Sequence, residues 1–330
     1  GAVGLACLAA GAALAARGGG GVLRGSAGAG AALQLQQVVA KAKHVADNDD
    51  DGTDDEGKKK DAPKDVSEKS ENKQSTKKTE EQPTCVRAHA KDSPGLFCWS
   101  VMFDSDVSLI KSQLTGKAGQ FACNDYAVIS EKDMVIGEDE CGEVRTWQQD
   151  LPEVKKGMYG VNAMTSSWLN VPVFLICWDR VIQSGKVWEQ EFTVKVDPDA
   201  VFFPDRLAGV LKPHVDTPMF TTDCRFWGGD QVGKIFGSIE VLSKRAVGAY
   251  KGNIEKCKNL GWQGWGEDMW LQECMNAIGI KPVGLFDEVS DNTCPMGGFG
   301  DCAAGTKVVF HPRKDAGQWW DCWKQSTGGR

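Results

Sequence analysis

Near residue 84 the composition of the chain changes abruptly, and this change decides which part of it can fold. Residues 41–83 consist largely of Asp, Glu, Lys, Ser and Gln, with almost no large apolar side chains. Such a stretch buries too little apolar surface to offset the entropy lost on ordering, so we predict a disordered, charged stem. After it, short apolar runs alternate with helical patterns. The sequence therefore predicts one globular domain of ordinary enzyme size over residues 84–330.

The first residues have the character of a hydrophobic leader. Residues 1–16 are rich in Ala, Gly, Leu and Val, and the run ends at Arg17. A membrane-spanning helix needs about 20 residues, so a cleaved signal peptide and a truncated signal-anchor are both open for the leader and Gly/Ala-rich segment over residues 1–40. We expect a single-pass type II membrane protein of the Golgi or endoplasmic reticulum lumen, or a secreted protein if the leader is cleaved. A low-complexity segment or an organelle transit peptide is the alternative.

Cysteine usage and charge restrict the compartment and the partners. Of the 12 cysteines, all but Cys7 lie between Cys85 and Cys322, without the paired spacing of zinc sites. This scatter favours several disulfides in an oxidising compartment, although cytosolic domains also carry buried thiols. Because eleven is odd, one thiol stays free or pairs elsewhere. The net charge of -7, without a patch of basic and aromatic residues, argues against a nucleic-acid partner.

The order of apolar runs beyond residue 84 predicts an α/β fold. Runs that read as buried strands alternate with segments whose apolar residues recur at helical spacing, which is typical of layered α/β domains. We predict strands at residues 96–103, 120–129, 191–196 and 235–242, and helices at residues 106–114, 171–183, 243–256 and 267–278.

Two carboxylates follow one of these strands directly. Asp197 and Asp199, separated by Pro198, come at the end of the apolar run that contains Lys195. Open α/β sheets bind ligands at the carboxyl ends of their strands, and oxygen ligands suit magnesium or manganese bound together with a diphosphate. The alternative is a solvated turn in which Pro198 only sets the backbone.

A second acidic pair, Glu267 and Asp268, opens a predicted helix. Acids at a helix N-terminus stabilise the macrodipole, which is the simple explanation. This pair, however, is framed by Trp262, Trp265 and Trp270. Carboxylates beside apolar rings can have their proton affinity adjusted for work as a general base. Tryptophans also stack on sugar faces, although they are as often part of the core.

One histidine ends a strand-like run near the C-terminus. His311 follows the apolar residues Val308 to Phe310. A lone histidine is usually structural, but neutral imidazole is a good third ligand for a transition metal that carboxylates already hold.

Four segments, taken in order, resemble the fringe-like and β-1,3-galactosyltransferase-like glycosyltransferases of the GT-A fold: KVDPDAVFFPDRL, IFGSIEVLSKRAV, WGEDMWLQECMNAIGI and VVFHPRK. The resemblance covers residues 96–314. It implies a Rossmann-like mixed sheet flanked by helices. In that family the first segment binds metal and nucleotide, the second lines the acceptor side, the third supplies the base, and the histidine contributes to the metal site.

Residue by residue, the resemblance assigns the donor side to the first and last segments. Asp199 matches the acid that binds the metal, and Asp197 the acid nearer the nucleotide and ribose, which also borders the metal. Lys195 opens the same segment and is assigned to donor binding. His311 matches the C-terminal metal ligand. Pro198 replaces the usual middle acid of the motif.

On the acceptor side, Asp268 matches the catalytic base, with Glu267 as the alternative because adjacent acids are easily confused. Gly237, Ser238 and Trp265 are assigned to the acceptor side. The run from Gly237 to Glu240 replaces the family's common glycine and aromatic run.

The resemblance implies sugar transfer with inversion. A Mn2+ or Mg2+ ion at Asp199 and His311 would neutralise the leaving diphosphate, and Asp268 would take the proton of an acceptor hydroxyl. The expected donor is a hexose or N-acetylhexosamine linked to a nucleotide, with a preference for uridine diphosphate, and the acceptor is a glycan or glycoprotein. Two alternatives remain: a non-catalytic carbohydrate-binding protein, and an enzyme of the same fold that makes nucleotide sugars.

Overall fold

The computed structural model describes residues 92–158, 166–225, 231–295 and 300–329. The predicted leader, the Gly/Ala-rich segment and the charged stem lie outside the described residues. Among the described residues, no helix combines the length and the apolar character needed to cross a bilayer.

The strands, in chain order, are β1 (Leu96–Val101), β2 (Asp125–Ser130), β3 (Val135–Asp139), β4 (Gly142–Arg145), β5 (Trp147–Gln148), β6 (Lys155–Met158), β7 (Ser166–Leu169), β8 (Phe192–Val196), β9 (Val201–Phe202), β10 (Met219–Thr222), β11 (Ile239–Ser243), β12 (Lys281–Gly284), β13 (Val289–Asp291) and β14 (Val309–His311). The α-helices are α1 (Val107–Thr115), α2 (Val171–Gln183), α3 (Pro204–Leu211), α4 (Lys244–Gly252), α5 (Ile254–Lys258), α6 (Glu267–Ala277) and α7 (Ala316–Thr327).

Seven strands form one mixed sheet in the order β12-β10-β11-β8-β1-β2-β5. Strand β11 runs antiparallel to β8 and β10, whereas the other neighbouring pairs are parallel. A smaller sheet has the order β13-β14-β9, and β3-β4 and β6-β7 are two-stranded. A mixed sheet flanked by helices confirms the predicted α/β class.

Both faces of the central strands are buried, which is why they read as continuous apolar runs. In β1, Phe97 and Trp99 enter one core cluster with residues of α2, α4 and α6, while Leu96 and Cys98 enter a second cluster that includes residues of α3 and of the small sheet. The side chains of a strand point alternately to its two faces. The large sheet is therefore the middle layer between two apolar layers.

The predicted elements appear with shifted boundaries that have local causes. The helix predicted at residues 171–183 is α2. The strand predicted from residue 235 begins only at Ile239, because Gly237 has a left-handed φ of 81° that breaks the extended backbone. The helix predicted at residues 243–256 is two helices, α4 and α5, which meet at Asn253. Ser243 caps α4, and its hydroxyl oxygen accepts from the amide of Ala246.

The prediction of several disulfides is confirmed. The described pairs are Cys98–Cys123, Cys224–Cys294, Cys257–Cys274 and Cys302–Cys322. Cys141 is also disulfide-bonded, and Cys177 is a buried free thiol.

Candidate active site

The predicted site residues gather at one edge of the large sheet. Strands β1, β2, β8 and β10 all run in the same direction, so their carboxyl ends lie at the same edge. Asp197 and Asp199 follow β8 there, and the turn that contains Gly237 and Ser238 leads into β11 at the same edge. This is the edge at which open α/β sheets bind ligands.

Asp197, Asp199 and His311 converge at this edge. One ligand atom from each lies within 4.8 Å of the other two. Nε2 of His311 is 3.4 Å from Oδ1 of Asp199 and 3.9 Å from Oδ2 of Asp197. Asp199 and His311 are buried, and Asp197 is half-buried. Two carboxylates and an imidazole at this spacing fit a divalent transition metal such as Mn2+, so this group is able to hold a metal ion.

Strand pairing brings His311 to the acids although more than a hundred residues separate them in the chain. In the small sheet, β14 runs antiparallel to β9, with Phe310 opposite Val201. His311 therefore comes beside the residues that precede β9. The backbone amide of Arg313 donates to the carbonyl of Asp199 at 2.8 Å, which fixes this segment against the acidic turn.

Asp291 holds the imidazole from its other side and was missed by the sequence analysis. Its Oδ2 lies 3.0 Å from Nδ1 of His311, and its Oδ1 accepts from the amide and the hydroxyl of Thr293. A carboxylate behind a metal-ligating histidine fixes the ring and directs the second nitrogen to the metal. No motif marks Asp291 in the sequence, because its partner is set by the register of β13 and β14.

The charged groups around His311 shift one another's pKa values. Burial opposes the imidazolium, but the hydrogen bonds and charges of Asp199 and Asp291 outweigh burial and raise the pKa of His311 to about 10. Burial likewise opposes ionisation of Asp199, but His311 and Lys314 outweigh it and hold its pKa below the usual range. Burial raises the pKa of Asp197, and Lys195 only partly offsets this. The charge of Asp197 is thus balanced by Lys195, and that of Asp199 by His311 and Lys314.

Lys195 links the acidic turn to the second predicted acidic pair. Its side chain is almost fully buried, and its Nζ lies 2.8 Å from Asp197, 3.1 Å from Glu267 and 3.6 Å from Glu240. It also donates to the carbonyl of Gly237 at 2.7 Å. One ammonium thus contacts a carboxylate of each cluster, so the two clusters are adjacent.

Glu267 and Asp268 open α6 at this point, but they differ in how they are held. The backbone amide of Glu267 donates to Oδ1 of Asn170 at 2.9 Å, and Nδ2 of Asn170 donates to the carboxylate of Glu267. Oδ1 of Asp268 accepts from the amide of Met269. Burial, reinforced by the charge of Glu267, raises the pKa of Asp268 to about 7. Both oxygens of Glu267 are engaged by other side chains. The pKa of Asp268, in contrast, is close to the value that a general base needs at neutral pH.

The residues assigned to the acceptor side occupy three different environments. Gly237 lies against the acids, since a Cβ there would be 3.4 Å from Oε1 of Glu267 and 3.7 Å from Cβ of Asp268. Ser238 is fully buried, and its hydroxyl donates to Asp223 at 3.2 Å. Trp265 is half-buried and packs against the core beside α6. The acceptor assignment of these residues stays a prediction.

Asp223 is a second acid that the sequence analysis missed. It follows β10, is buried, and accepts from the amide of Phe236 and the hydroxyl of Ser238. The carbonyl of Ser238 in turn accepts the amide of Asp197 at 3.2 Å. Burial raises the pKa of Asp223 to about 7. This carboxyl therefore orders the turn that positions Asp197.

A cavity opens at the carboxyl ends of β1 and β2, the same edge of the large sheet at which Asp197 and Asp199 follow β8. Its volume is about 340 Å3. Phe103 borders it with 41% of its surface exposed. The charges of Asp106 and Asp199 act on each other, which indicates that this loop and the acidic turn are near neighbours. The cavity is lined by Met102, Phe103, Asp104, Ser105, Ser130, Glu131 and Lys132.

Comparisons with known proteins leave the family open. No protein-family model matches the sequence, and no curated protein matches it. Among solved structures, the chain is similar to a glycosyltransferase involved in the glycosylation of the major capsid of PBCV-1, at 11% identity and a TM-score of 0.39, over 70% of this chain and 99% of that one.

Two nucleotidyltransferase structures also match. One is a putative glucose-1-phosphate thymidylyltransferase from Bacillus anthracis, at 10% identity and a TM-score of 0.32, over 58% of this chain and 86% of that one. The other is a cytidylyltransferase from Leptospira borgpetersenii, at 12% identity and a TM-score of 0.30, over 59% and 76%. Because these TM-scores are below 0.5, the α/β class stands on the sheet described above.

Proposed function

We propose that this protein is a metal-dependent, inverting glycosyltransferase that transfers a hexose or N-acetylhexosamine from a nucleotide sugar to a hydroxyl of a glycan or glycoprotein. The observation that carries the proposal is the contact of Lys195 with both Asp197 and Glu267. It joins a metal-binding group to a pair of acids that includes a base with a suitable pKa. A sugar transferase needs both groups beside one substrate.

The donor is proposed to bind at the metal group and the neighbouring cavity. Asp199 and His311, with Asp197, would hold Mn2+ or Mg2+, and a bound ion would neutralise charge on the leaving diphosphate. The nucleoside, with uridine as the preferred base, would occupy the cavity beside Phe103. Asp291 keeps the imidazole oriented, and Ser238 fixes the backbone of Asp197.

Asp268 is proposed as the catalytic base. Its pKa of about 7 leaves a substantial ionised fraction at neutral pH, and the raised pKa makes the carboxylate a stronger base than an ordinary exposed one. Glu267 is engaged by Asn170 and Lys195, so it is assigned a positioning role. Gly237 borders the acceptor side, since a Cβ there would lie in van der Waals contact with both acids, and its left-handed φ of 81° favours glycine.

The proposed compartment is the lumen of the secretory pathway, as the sequence predicts. Four described disulfides and a further disulfide-bonded cysteine are typical of the secretory pathway. Together with the hydrophobic leader, they support a lumenal enzyme anchored by its N-terminal segment, or secreted after cleavage.

The test is a donor screen with the purified full chain. The chain is incubated with Mn2+ and a panel of nucleotide sugars, with and without simple glycan acceptors, and released nucleotide is followed. We expect one donor to be consumed, and the product's anomeric configuration, read by NMR, to be inverted. Binding of glycans without consumption of any donor would favour a carbohydrate-binding protein. Formation of a nucleotide sugar from a sugar phosphate and a nucleoside triphosphate would favour a nucleotidyltransferase.

A further inference from the structure

Lys314 places an ammonium group on the proposed metal ligand Asp199. Its Nζ contacts Oδ2 of Asp199, while Oδ1 of the same carboxylate faces the imidazole of His311 at 3.4 Å. The bond from the amide of Arg313 to the carbonyl of Asp199 holds the adjacent backbone. Lys314 is thus attached to the acidic turn through its neighbour, and its side chain lies across the carboxylate.

The surroundings of Lys314 leave it free to change partner. Its side chain is 76% exposed, although the carboxylate that it contacts is 11% exposed. Lys195, the other cation near the acids, is almost fully buried and already bonded to Asp197, Glu267 and the Gly237 carbonyl. The guanidinium of Arg313 is bonded to the Pro312 carbonyl and to the sulfur of Cys302. Of these cations, Lys314 has the side chain that can swing over the site.

A divalent metal on Oδ1 of Asp199 would weaken the attraction between Oδ2 of the same carboxylate and the Lys314 ammonium. The metal and the ammonium are both cations, and like charges at a few ångströms repel each other strongly in a partly buried site. Binding of a metal at Asp199 would therefore favour release of the Lys314 ammonium toward solvent. The phosphate oxygens of a donor held by that metal would be strong acceptors for the released ammonium, because hydrogen bonds between ionised partners are the strong ones.

We propose that Lys314 is a diphosphate-binding residue that Asp199 holds in place until metal and donor arrive. In the metal-free protein the ammonium neutralises Asp199. When the metal takes this carboxylate, the ammonium transfers to the diphosphate and adds a second positive charge beside the leaving group. This inference rests on the proposed function, because it presupposes a metal and a nucleoside diphosphate at this edge of the sheet.

The exchange predicts opposite effects of one substitution on two ligands. Lys314→Met keeps the aliphatic stem and removes the charge. Mn2+ alone is expected to bind about two- to fivefold more tightly to this variant, since an exposed ion pair no longer competes. With Mn2+ saturating, uridine diphosphate is expected to bind about tenfold or more weakly, since a charge-assisted hydrogen bond is lost. Lys314→Arg keeps the charge and should retain most of the uridine diphosphate affinity.

Calorimetric titrations of the full-length chain, stripped of metal with EDTA, measure both quantities. The matched control is Lys324→Met, at an exposed position of α7, which should change neither affinity. Unchanged Mn2+ binding, or unchanged uridine diphosphate binding, in Lys314→Met would overturn the inference while leaving the proposed function intact. A wild-type chain that bound neither Mn2+ nor uridine diphosphate would overturn both. A loss of both affinities together would show that Lys314 only maintains the structure, and would also overturn the exchange.

Discussion

The Oδ2 atom of Asp291 lies 3.0 Å from Nδ1 of His311, and the two residues are register partners in neighbouring strands. If a metal displaces the proton from Nε2, the Nδ1–H group still donates to Asp291, and the Nε2 lone pair faces Asp197 and Asp199. The tautomer that a metal needs is therefore built into the pairing of two strands.

Replacing Asp291 by Asn should weaken metal binding without removing a metal ligand. An amide no longer accepts strongly from Nδ1–H, so the imidazole loses its fixed tautomer, and Mn2+ affinity should fall about 10- to 100-fold. Mn2+ titration monitored by electron paramagnetic resonance measures the change. Asp287→Asn is the control, because it removes the same charge from an exposed loop position nearby. Equal Mn2+ affinity in wild type and Asp291→Asn would refute the role given to Asp291.

The rate of transfer should depend on the ionisation of Asp268. Its pKa is raised to about 7 and a base must be unprotonated, so kcat/KM should fall about tenfold per pH unit below pH 7. Asp268→Asn should lower kcat by about 100-fold or more and remove this acidic limb. Donor affinity, measured by calorimetry, should be kept. A folded Asp268→Asn variant that transferred sugar at the normal rate would exclude Asp268 as the base.

Asp223 should make the folded protein less stable as the pH rises, because its pKa is higher in the folded state than in the unfolded state. Its folded-state pKa of about 7 lies above the unfolded value near 3.8. Its stabilising contribution is therefore complete below pH 4 and is lost as the pH rises through 7. The loss is on the order of 4 kcal/mol by linkage.

Urea unfolding of wild type and Asp223→Asn between pH 4 and pH 8 isolates this contribution from those of other groups. The amide cannot ionise and still offers an oxygen to the amide of Phe236, so the variant's free energy of unfolding should fall less as the pH rises. If both chains showed the same pH dependence, the raised pKa of Asp223 would be wrong.

Lys195 should contribute strongly to stability, because buried acids surround it. Lys195→Met leaves Glu240, Asp197 and Glu267 without their shared cation, which should cost about 3–5 kcal/mol of unfolding free energy. The carboxylate oxygens of Glu240 make no hydrogen bond within the described part of the chain, so Glu240→Gln should be tolerated better. In a double-mutant cycle, Glu240→Gln should partly rescue Lys195→Met. The Lys212→Met variant, at an exposed position, is the control, and additive effects would contradict direct coupling.

The sequence predicted the parts of this site that follow strong local patterns. Asp197 and Asp199 stand directly after a fully buried strand, and Asp268 opens a helix with a clear apolar stripe, so their positions follow from local order. Asp223 and Asp291 stand at the ends of short strands in a chain with 45 acidic residues. Only tertiary pairing distinguishes them from solvated acids, so no local signal was available.

The boundaries of the predicted strands and helices also depend on tertiary contacts that the local sequence does not show. The start of β11 depends on the left-handed backbone of Gly237, and this turn is held by Asp223 from a different strand. The cysteine count predicted an odd thiol, and Cys177 is a buried free one. The disulfide pairs follow from which elements pack together, and spacing along the chain does not contain that information.

The most direct test of the proposed donor site is calorimetric titration of the EDTA-stripped full chain with uridine diphosphate, with and without Mn2+. Wild type and Asp199→Asn are compared, with Asp205→Asn, at an exposed position of α3, as the control for charge. We expect wild type and the control to bind uridine diphosphate tightly only when Mn2+ is present, and Asp199→Asn to lose this metal-dependent binding. Binding that is equally strong without Mn2+, or that survives in Asp199→Asn, would contradict it.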